Sequence, residues 1–257
     1  MSSTISTRTV ATFEVAPIAG LFWRAVEAQH RIATTALVDS LDEQRQLEDL
    51  LEDSKPDLPD ALSDLHWLLF TPFRYPPLPY GSRFRGPYDP GVFYAAFEAR
   101  TACAELGFWR WRFLQDAEAL SRLEQRPHTV FSTRVATGSV DLRDPPYAAD
   151  RGRWTHPSDY APCQQLARDV REAGVGAIAY ESVRDPEHGG CLALLDARAF
   201  VDRLPASART WHLWVNHDRV TWRLDTPFEE DTFQFDTAPW AAQMSAAPTS
   251  SEPKATP

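Results

Sequence analysis

The amino-acid sequence predicts an α+β fold, and three observations carry that expectation. Thr210–Val215 and Val220–Leu224 alternate apolar and polar residues around Asn216-His217-Asp218, the pattern of a two-stranded hairpin. From Ala25 to Glu52, Leu37, Leu41, Leu47, Leu50 and Leu51 recur at threes and fours, which is helical spacing. Helical runs of this kind are interspersed among several short strand-like segments of antiparallel type, rather than collected at one end of the chain.

Taken in order, residues 1–16 are rich in Ser and Thr and read as a flexible N-terminal segment, with a short strand at Thr12–Val15. Leu21-Phe22-Trp23-Arg24 is an aromatic segment ahead of the Ala25–Glu52 helix, which Pro56 and Pro59 end. A second short helix is expected over Asp60–Leu69, with Asp60 as its N-cap. Six prolines between Pro72 and Pro90 then make a stiff, non-helical loop. Val92–Ala95 reads as a strand and about Phe97 to Leu120 as a helix. His128–Val135 and Ser139–Leu142 read as two strands, and Tyr160–Glu172 as a helix ended by Gly174-Val175-Gly176. Ala177–Val183 and Cys191–Leu195 are buried strands joined by a hairpin loop, and Ala197–Val201 is a short helix. Residues 227–257 read as a mostly disordered tail, Pro-rich and polar after Pro239.

Composition narrows the function. The chain has 257 residues, 43% of them hydrophobic and nine of them Trp, enough for a sizeable core in one large domain or two small ones. With 26 basic against 36 acidic residues the net charge is −10, which argues against a nucleic-acid surface. Cys103, Cys163 and Cys191 form no CxxC pair and are odd in number, so buried thiols of a cytoplasmic protein are expected. No apolar run approaches the roughly 18 residues of a membrane span, and the N-terminus lacks the apolar core of a secretory signal. The seven histidines have no ligand spacing, so no metal is expected. Without a GxGxxG or Walker loop, any nucleotide would have to be held by arginines and aromatic rings.

The densest chemistry lies between Pro72 and Phe113. Arg83 and Arg85, two apart in an extended segment, would point to one side and could grip a pyrophosphate; pairing with nearby acids is the other reading. Glu98 and Glu105 are seven apart, about 700° of helix, so both would share one face. That spacing leaves open a solvated acidic stripe, but Cys103, Ala104, Leu106 and Phe108 bury the flanks of Glu105, and a buried carboxylate needs a partner. Tyr94 alone fits an ordinary strand tyrosine, and Arg24 an ordinary surface charge. Ser182 has no Gly-x-Ser-x-Gly elbow around it, which argues against a hydrolase nucleophile.

Five motifs in order bring these residues together: Trp23-Arg24, Gly81-Ser82-Arg83-Phe84, Phe93-Tyr94, Thr101-Ala102-Cys103-Ala104-Glu105 and Tyr180-Glu181-Ser182-Val183-Arg184. On them, and over roughly Leu21 to Phe200, the chain resembles the RES-domain proteins, toxins of bacterial toxin–antitoxin pairs named for an arginine, a glutamate and a serine. The resemblance implies an ADP-ribosyltransferase-like core of two packed sheets flanked by helices. It would make 17–226 the domain, with an inserted helical pair at about 25–69. It implies that NAD+ is the substrate, with no prosthetic group, and that the nicotinamide–ribose bond is cleaved with water or phosphate as acceptor. Glu105, Arg83 and Ser182 match the catalytic residues; Arg24, Arg83, Tyr94 and Arg184 would contact NAD+. A cognate Xre-type antitoxin with a helix-turn-helix domain would be the partner, and an oligomer built through that complex is compatible with it. Transfer of ADP-ribose to a protein is a related alternative. A catalytically inactive RES-like binding module is another, motivated by departures from the family pattern: Ser82 after Gly81, Arg85-Gly86 after Phe84, and Gly190 before Cys191.

Overall fold

The computed structural model describes residues 13–28, 40–75, 81–117, 119–226 and 231–246. Its organising element is one long strand, β3 (Arg122–Asp141), of 20 residues. Along one edge β3 pairs antiparallel with β1 (Ala16–Glu27), from Ala16↔Ser139 to Glu27↔His128. The other edge is shared. Its first half pairs with β6 (Ser207–Asn216), and its end pairs parallel with β4 (Ala177–Glu181). β5 (Gly190–Leu194) and β2 (Phe93–Ala96) follow β4, and Trp23↔Ala96 returns the sheet to β1. On the far side β7 (Arg219–Leu224) and β8 (Thr232–Asp236) follow β6.

All eight strands are therefore joined in one sheet, where two packed sheets were expected. The reason is the length of β3. The segments expected as separate strands are bridged by Ala136, Thr137 and Gly138, which keep pairing with β1 through Ala19, Ile18 and Pro17. The same pairing corrects the next expectation: Ala25, Val26 and Glu27 are held in β1 by Val130, Thr129 and His128, so no helix starts at Ala25. Nor is Thr12–Val15 a strand, since residues 13–15 are irregular, residue 12 lies outside the described residues, and β1 begins at Ala16.

Helix α1 (Leu41–Asp53) follows; the part of the expected helix at 29–39 lies outside the described residues. Of the expected Asp60–Leu69 helix, Asp60–Leu62 is a 3-10 turn with Pro59 rather than Asp60 as its N-cap, and Trp67–Leu69 belong to the next helix. Helix α2 (Trp67–Arg74) then starts where His66 Nδ1 accepts from the Leu68 N–H at 3.2 Å. It carries Pro72 inside it, so the loop expected from Pro72 is helical as far as Arg74, and residues 76–80 lie outside the described residues. Helix α3 (Ala99–Asp116) packs Phe108, Trp111 and Leu114 against Val130, Trp211, Leu213 and Trp222. α4 (Arg151–Trp154) is one short turn, and α5 (Ala161–Glu172) buries Cys163, Leu166, Ala167 and Val170 against Ile178 and Ala193 on another face.

The expected C-terminal tail is folded over 231–246. Phe235 on β8 and Trp240 on α6 (Ala238–Ala246) are each 1% exposed and close the core beside α3. Aromatic burial of this size outweighs a small, polar composition. Residues 247–257 lie outside the described set. Cys103, Cys163 and Cys191 are all buried free thiols. Among the described residues no helix is long and apolar enough to cross a membrane, and no His, Cys, Asp and Glu cluster could hold a metal.

One buried base makes stability depend on pH. His128 is 2% exposed, its Nε2 is sealed without a partner, and its edge meets the Trp222 ring with centroids 5.0 Å apart. Burial holds its pKa below the usual 6.5, against the attraction of Glu27 and alongside the repulsion of Arg110 and Arg126. A base whose folded pKa is depressed favours folding above its unfolded pKa, and that contribution is lost as pH falls below it. The urea midpoint should fall between pH 7.5 and about 5, a window above the carboxylate range. His128→Leu should flatten that slope; an unchanged slope would assign the effect to other groups.

Candidate active site

The candidate residues are carried by α3, the loop after β4, the Ser82–Arg85 turn and strands β1 and β2. Glu105 lies half-buried on α3 between the buried Ala104 and Phe108. Ser182, fully buried just after β4, donates its hydroxyl to Glu105 Oε1 at 2.6 Å. The Ser182 oxygen in turn accepts from the backbone N–H groups of Arg184 at 3.2 Å and Asp185 at 2.9 Å. With both lone pairs taken by N–H donors, the single hydroxyl proton is left to point at the carboxylate. Glu98 is absent from this arrangement: it is the extended N-cap of α3, φ −130° and ψ 150°, and exposed, so the shared-face reading does not hold for it.

Arg83 does not sit in an extended segment. Ser82 and Arg85 exchange backbone bonds, Ser82 N to Arg85 O at 2.7 Å and Arg85 N to Ser82 O at 3.2 Å, which puts Arg83 and Phe84 at the tip of a tight turn. The two arginines therefore diverge. Arg83 donates through Nη1 to the carbonyls of Trp154 and His156, both at 2.9 Å, with its guanidinium 4.7 Å from the Tyr160 ring centroid. Arg85 turns away to the carbonyls of Tyr75 and Asp89 and anchors the loop instead. Gly81 makes the turn possible: its φ is +66°, and a Cβ there would stand 2.2 Å from the Arg85 carbonyl. Gly81→Ala should cost about 1–3 kcal/mol of folding stability in a denaturant titration, the scale of a side chain forced into a strained backbone region.

Tyr94 holds two of these parts at once. Its hydroxyl accepts from the Phe84 N–H at 2.9 Å and pairs with Ser82 Oγ at 2.8 Å, fixing the turn that carries Arg83. Its carbonyl accepts from Arg24 Nη1 at 2.6 Å. Burial pushes the Tyr94 pKa up to about 12, so the phenol keeps its proton. Arg24 reaches this carbonyl from β1, with its guanidinium 4.9 Å from the Phe93 ring centroid and its Nε sealed from solvent without a partner. Desolvation lowers its pKa to about 10, still high enough to keep the charge at neutral pH. Arg184, 4% exposed, lies 3.8 Å from the Phe108 ring centroid and donates to Pro157 O at 2.6 Å and Gln243 Oε1 at 3.0 Å.

Arg24, Arg83 and Arg184 thus share one property. Each is held by carbonyl oxygens, and among the described residues none has a carboxylate in ion-pair reach. Carbonyls orient a guanidinium without neutralising it. Such a set can bind a ligand carrying negative charge, beside one carboxylate held by a serine.

Residues 57–216 match the family model of the RES domain. The chain belongs to the RES-domain family. Among solved structures, the crystal structure of the M. tuberculosis MbcT–MbcA toxin–antitoxin complex is similar at 13% sequence identity and a TM-score of 0.44, over 90% of this chain and 90% of that chain. A search of curated proteins gave no match.

The RES match begins after β1, so Arg24 lies outside it; the pairing of β1 with β3 and β2 brings it to the Tyr94 carbonyl. Two residues in contact with the candidate site residues had no strong signal in the sequence. Tyr160, whose ring lies under Arg83, sits at the mouth of α5 in a stretch that reads only as a loop entering a helix. Asp185 follows the Tyr-x-Ser-x-Arg motif directly and is 2% exposed; the Asp185-Pro186 pair reads as ordinary turn chemistry.

Proposed function

We propose that this RES-domain protein is an NAD+-degrading toxin that cleaves the nicotinamide–ribose bond. The observation that carries the reading is a set of three buried or half-buried guanidiniums without carboxylate partners among the described residues, together with the Ser182–Glu105 contact. Uncompensated buried charge is unfavourable, and a pyrophosphate would relieve it with bidentate hydrogen bonds. NAD+ joins such a pyrophosphate to a ribose that becomes positively charged as its bond to nicotinamide breaks. Glu105 is the group that would stabilise this oxocarbenium-like ribose, with Ser182 fixing the carboxylate. The bonding electrons leave with nicotinamide, which departs neutral, and an acceptor completes the ribose. Tyr94 would flank the nicotinamide side. The arrangement of β6 and β4 at opposite ends of one edge of β3 is compatible with an ADP-ribosyltransferase-like core.

The test is release of nicotinamide from NAD+ by purified protein. ADP-ribose as co-product marks water as the acceptor, ADP-ribose phosphate marks phosphate, and labelled protein marks transfer to a side chain. Binding of NAD+ without release would leave a binding module. Family membership further supports neutralisation by a cognate antitoxin of the Xre type acting in the cytoplasm. Expression should arrest growth, and co-expression of that antitoxin should relieve it.

A further inference from the structure

Asp185 is a buried carboxylate with no part in the chemistry proposed above, and its contacts are unusually complete. Its Oδ1 accepts from Arg100 Nη1 at 2.5 Å and from the Glu187 N–H at 3.1 Å, and its Oδ2 accepts from Thr101 Oγ1 at 2.7 Å. Arg100 and Thr101 lie on the first turn of α3, one turn before Glu105. The Asp185 N–H is meanwhile one of the two donors to Ser182 Oγ. One residue therefore ties the loop that carries Ser182 to the helix that carries Glu105.

The rest of the loop is shaped to that tie. Ser182 N donates to Gly189 O at 2.8 Å and His188 N to Asp185 O at 2.9 Å, with His188 at φ 57°. Gly189 passes so close that a Cβ would stand 2.2 Å from Thr101 Oγ1 and 2.9 Å from Asp185 Oδ2. The side-chain hydroxyl of Thr101, the carboxylate of Asp185 and the missing side chain of Gly189 fit one another. A structural ion pair alone would not require the backbone to close around it in this way.

We infer that Asp185, held by Thr101 and Arg100, is a positioning residue that locks Ser182 onto Glu105. The inference rests on the roles of Glu105 and Ser182 proposed above. A hydroxyl has one proton to give. If the loop shifts, the Asp185 and Arg184 N–H groups leave the Ser182 oxygen, the hydroxyl is free to rotate, and Glu105 loses its only described side-chain partner. The consequence falls first on turnover, because the Asp185 carboxylate contacts Arg100, Thr101 and the Glu187 N–H and none of the guanidiniums that would hold the pyrophosphate.

The experiment uses the full chain with NAD+ and the variants Asp185→Asn, Thr101→Val, Thr101→Ser and Ser182→Ala. Misplacing a reacting group by about 1 Å can lower rate about 100-fold, and Asp185→Asn should lower kcat on that order with KM unchanged. Thr101→Val, nearly the same shape, should move kcat the same way, and Thr101→Ser, which keeps the hydroxyl, should restore it. In the Ser182→Ala background Asp185→Asn should change little more, since both act through one hydroxyl. Additive losses in the double variant, or kcat per folded molecule equal to that of the parent, would overturn the inference. Hydrogen exchange separates it from the reading on which it rests. If the parent protein releases no nicotinamide, the proposed function falls, and the tie is judged by the amides of Ser182, Asp185 and His188. They should lose protection in Asp185→Asn, and unchanged protection would overturn the tie.

Discussion

Glu105→Gln should lower nicotinamide release on the order of 1,000-fold while leaving NAD+ binding and the unfolding midpoint nearly unchanged, the scale set by removing one preorganised electrostatic contact at a developing charge. The substitution is chosen for what it keeps. Glutamine has the size of glutamate, and its carbonyl oxygen can still accept from Ser182, so the 2.6 Å contact and the packing of α3 against Trp222 and Trp240 need not move. Only the negative charge goes. If binding energy from the arginines were the whole of the catalysis, losing that charge would matter little, because Arg24, Arg83 and Arg184 donate no described hydrogen bond to Glu105. The measurement is kcat from released nicotinamide, with calorimetric titration of NAD+ on the same sample. A loss below about 10-fold with intact binding would remove Glu105 from the catalytic role and move the search to another group.

The residues of the candidate site were legible in the sequence; the local shapes around them were legible only in part. Arg24, Arg83, Tyr94, Glu105, Ser182 and Arg184 are picked out by short motifs whose order survives any loop rearrangement. The geometry around Arg83 was not readable, because an Arg-x-Arg pair points to one side only in extended backbone, and Gly81 at φ +66° makes a turn instead. Glu98 failed for the same kind of reason: seven-residue spacing describes one face only if both residues are helical, and Glu98 is the residue at which the helix has not begun. The sequence reads as fragments of a sheet because β3 passes through Ala136-Thr137-Gly138, small and polar residues that look like a break. They are held by backbone bonds to β1, which no local pattern records. The C-terminal segment departs from its pattern for a different reason. Its composition is that of a tail, yet Phe235 and Trp240 are where the core beside α3 is completed. A few large aromatic rings decided the matter against the average.

Arg24→Met should raise the stability of the free protein and weaken NAD+ binding, two effects of opposite sign from one substitution. The stability term follows from where the charge is. Arg24 Nε is sealed without a partner, its Nη1 has only the Tyr94 carbonyl, and no described carboxylate faces it. Replacing a buried ion pair by well-packed apolar side chains of similar volume is often stabilising by about 1–4 kcal/mol, and a buried arginine without a carboxylate has still less to offset its desolvation. Against this stands the Tyr94 carbonyl, which loses a donor at a cost of about 1 kcal/mol. Methionine is flexible enough to lie along Phe93 where the guanidinium now sits, so no cavity term is added. The net gain should be about 1 kcal/mol, read as a higher urea midpoint. The binding term follows from the same geometry. A hydrogen bond from a charged group is worth about 1.5–3 kcal/mol, so losing one to a phosphate should weaken NAD+ about 10- to 100-fold. A purely structural arginine would give the opposite pattern, with lower stability and unchanged affinity. Observing that pattern would take Arg24 out of the ligand site and leave it as a strut between β1 and β2. A protein that keeps an arginine at the expense of its own stability is keeping it for something outside the fold, and the sign of the stability change is what reveals it.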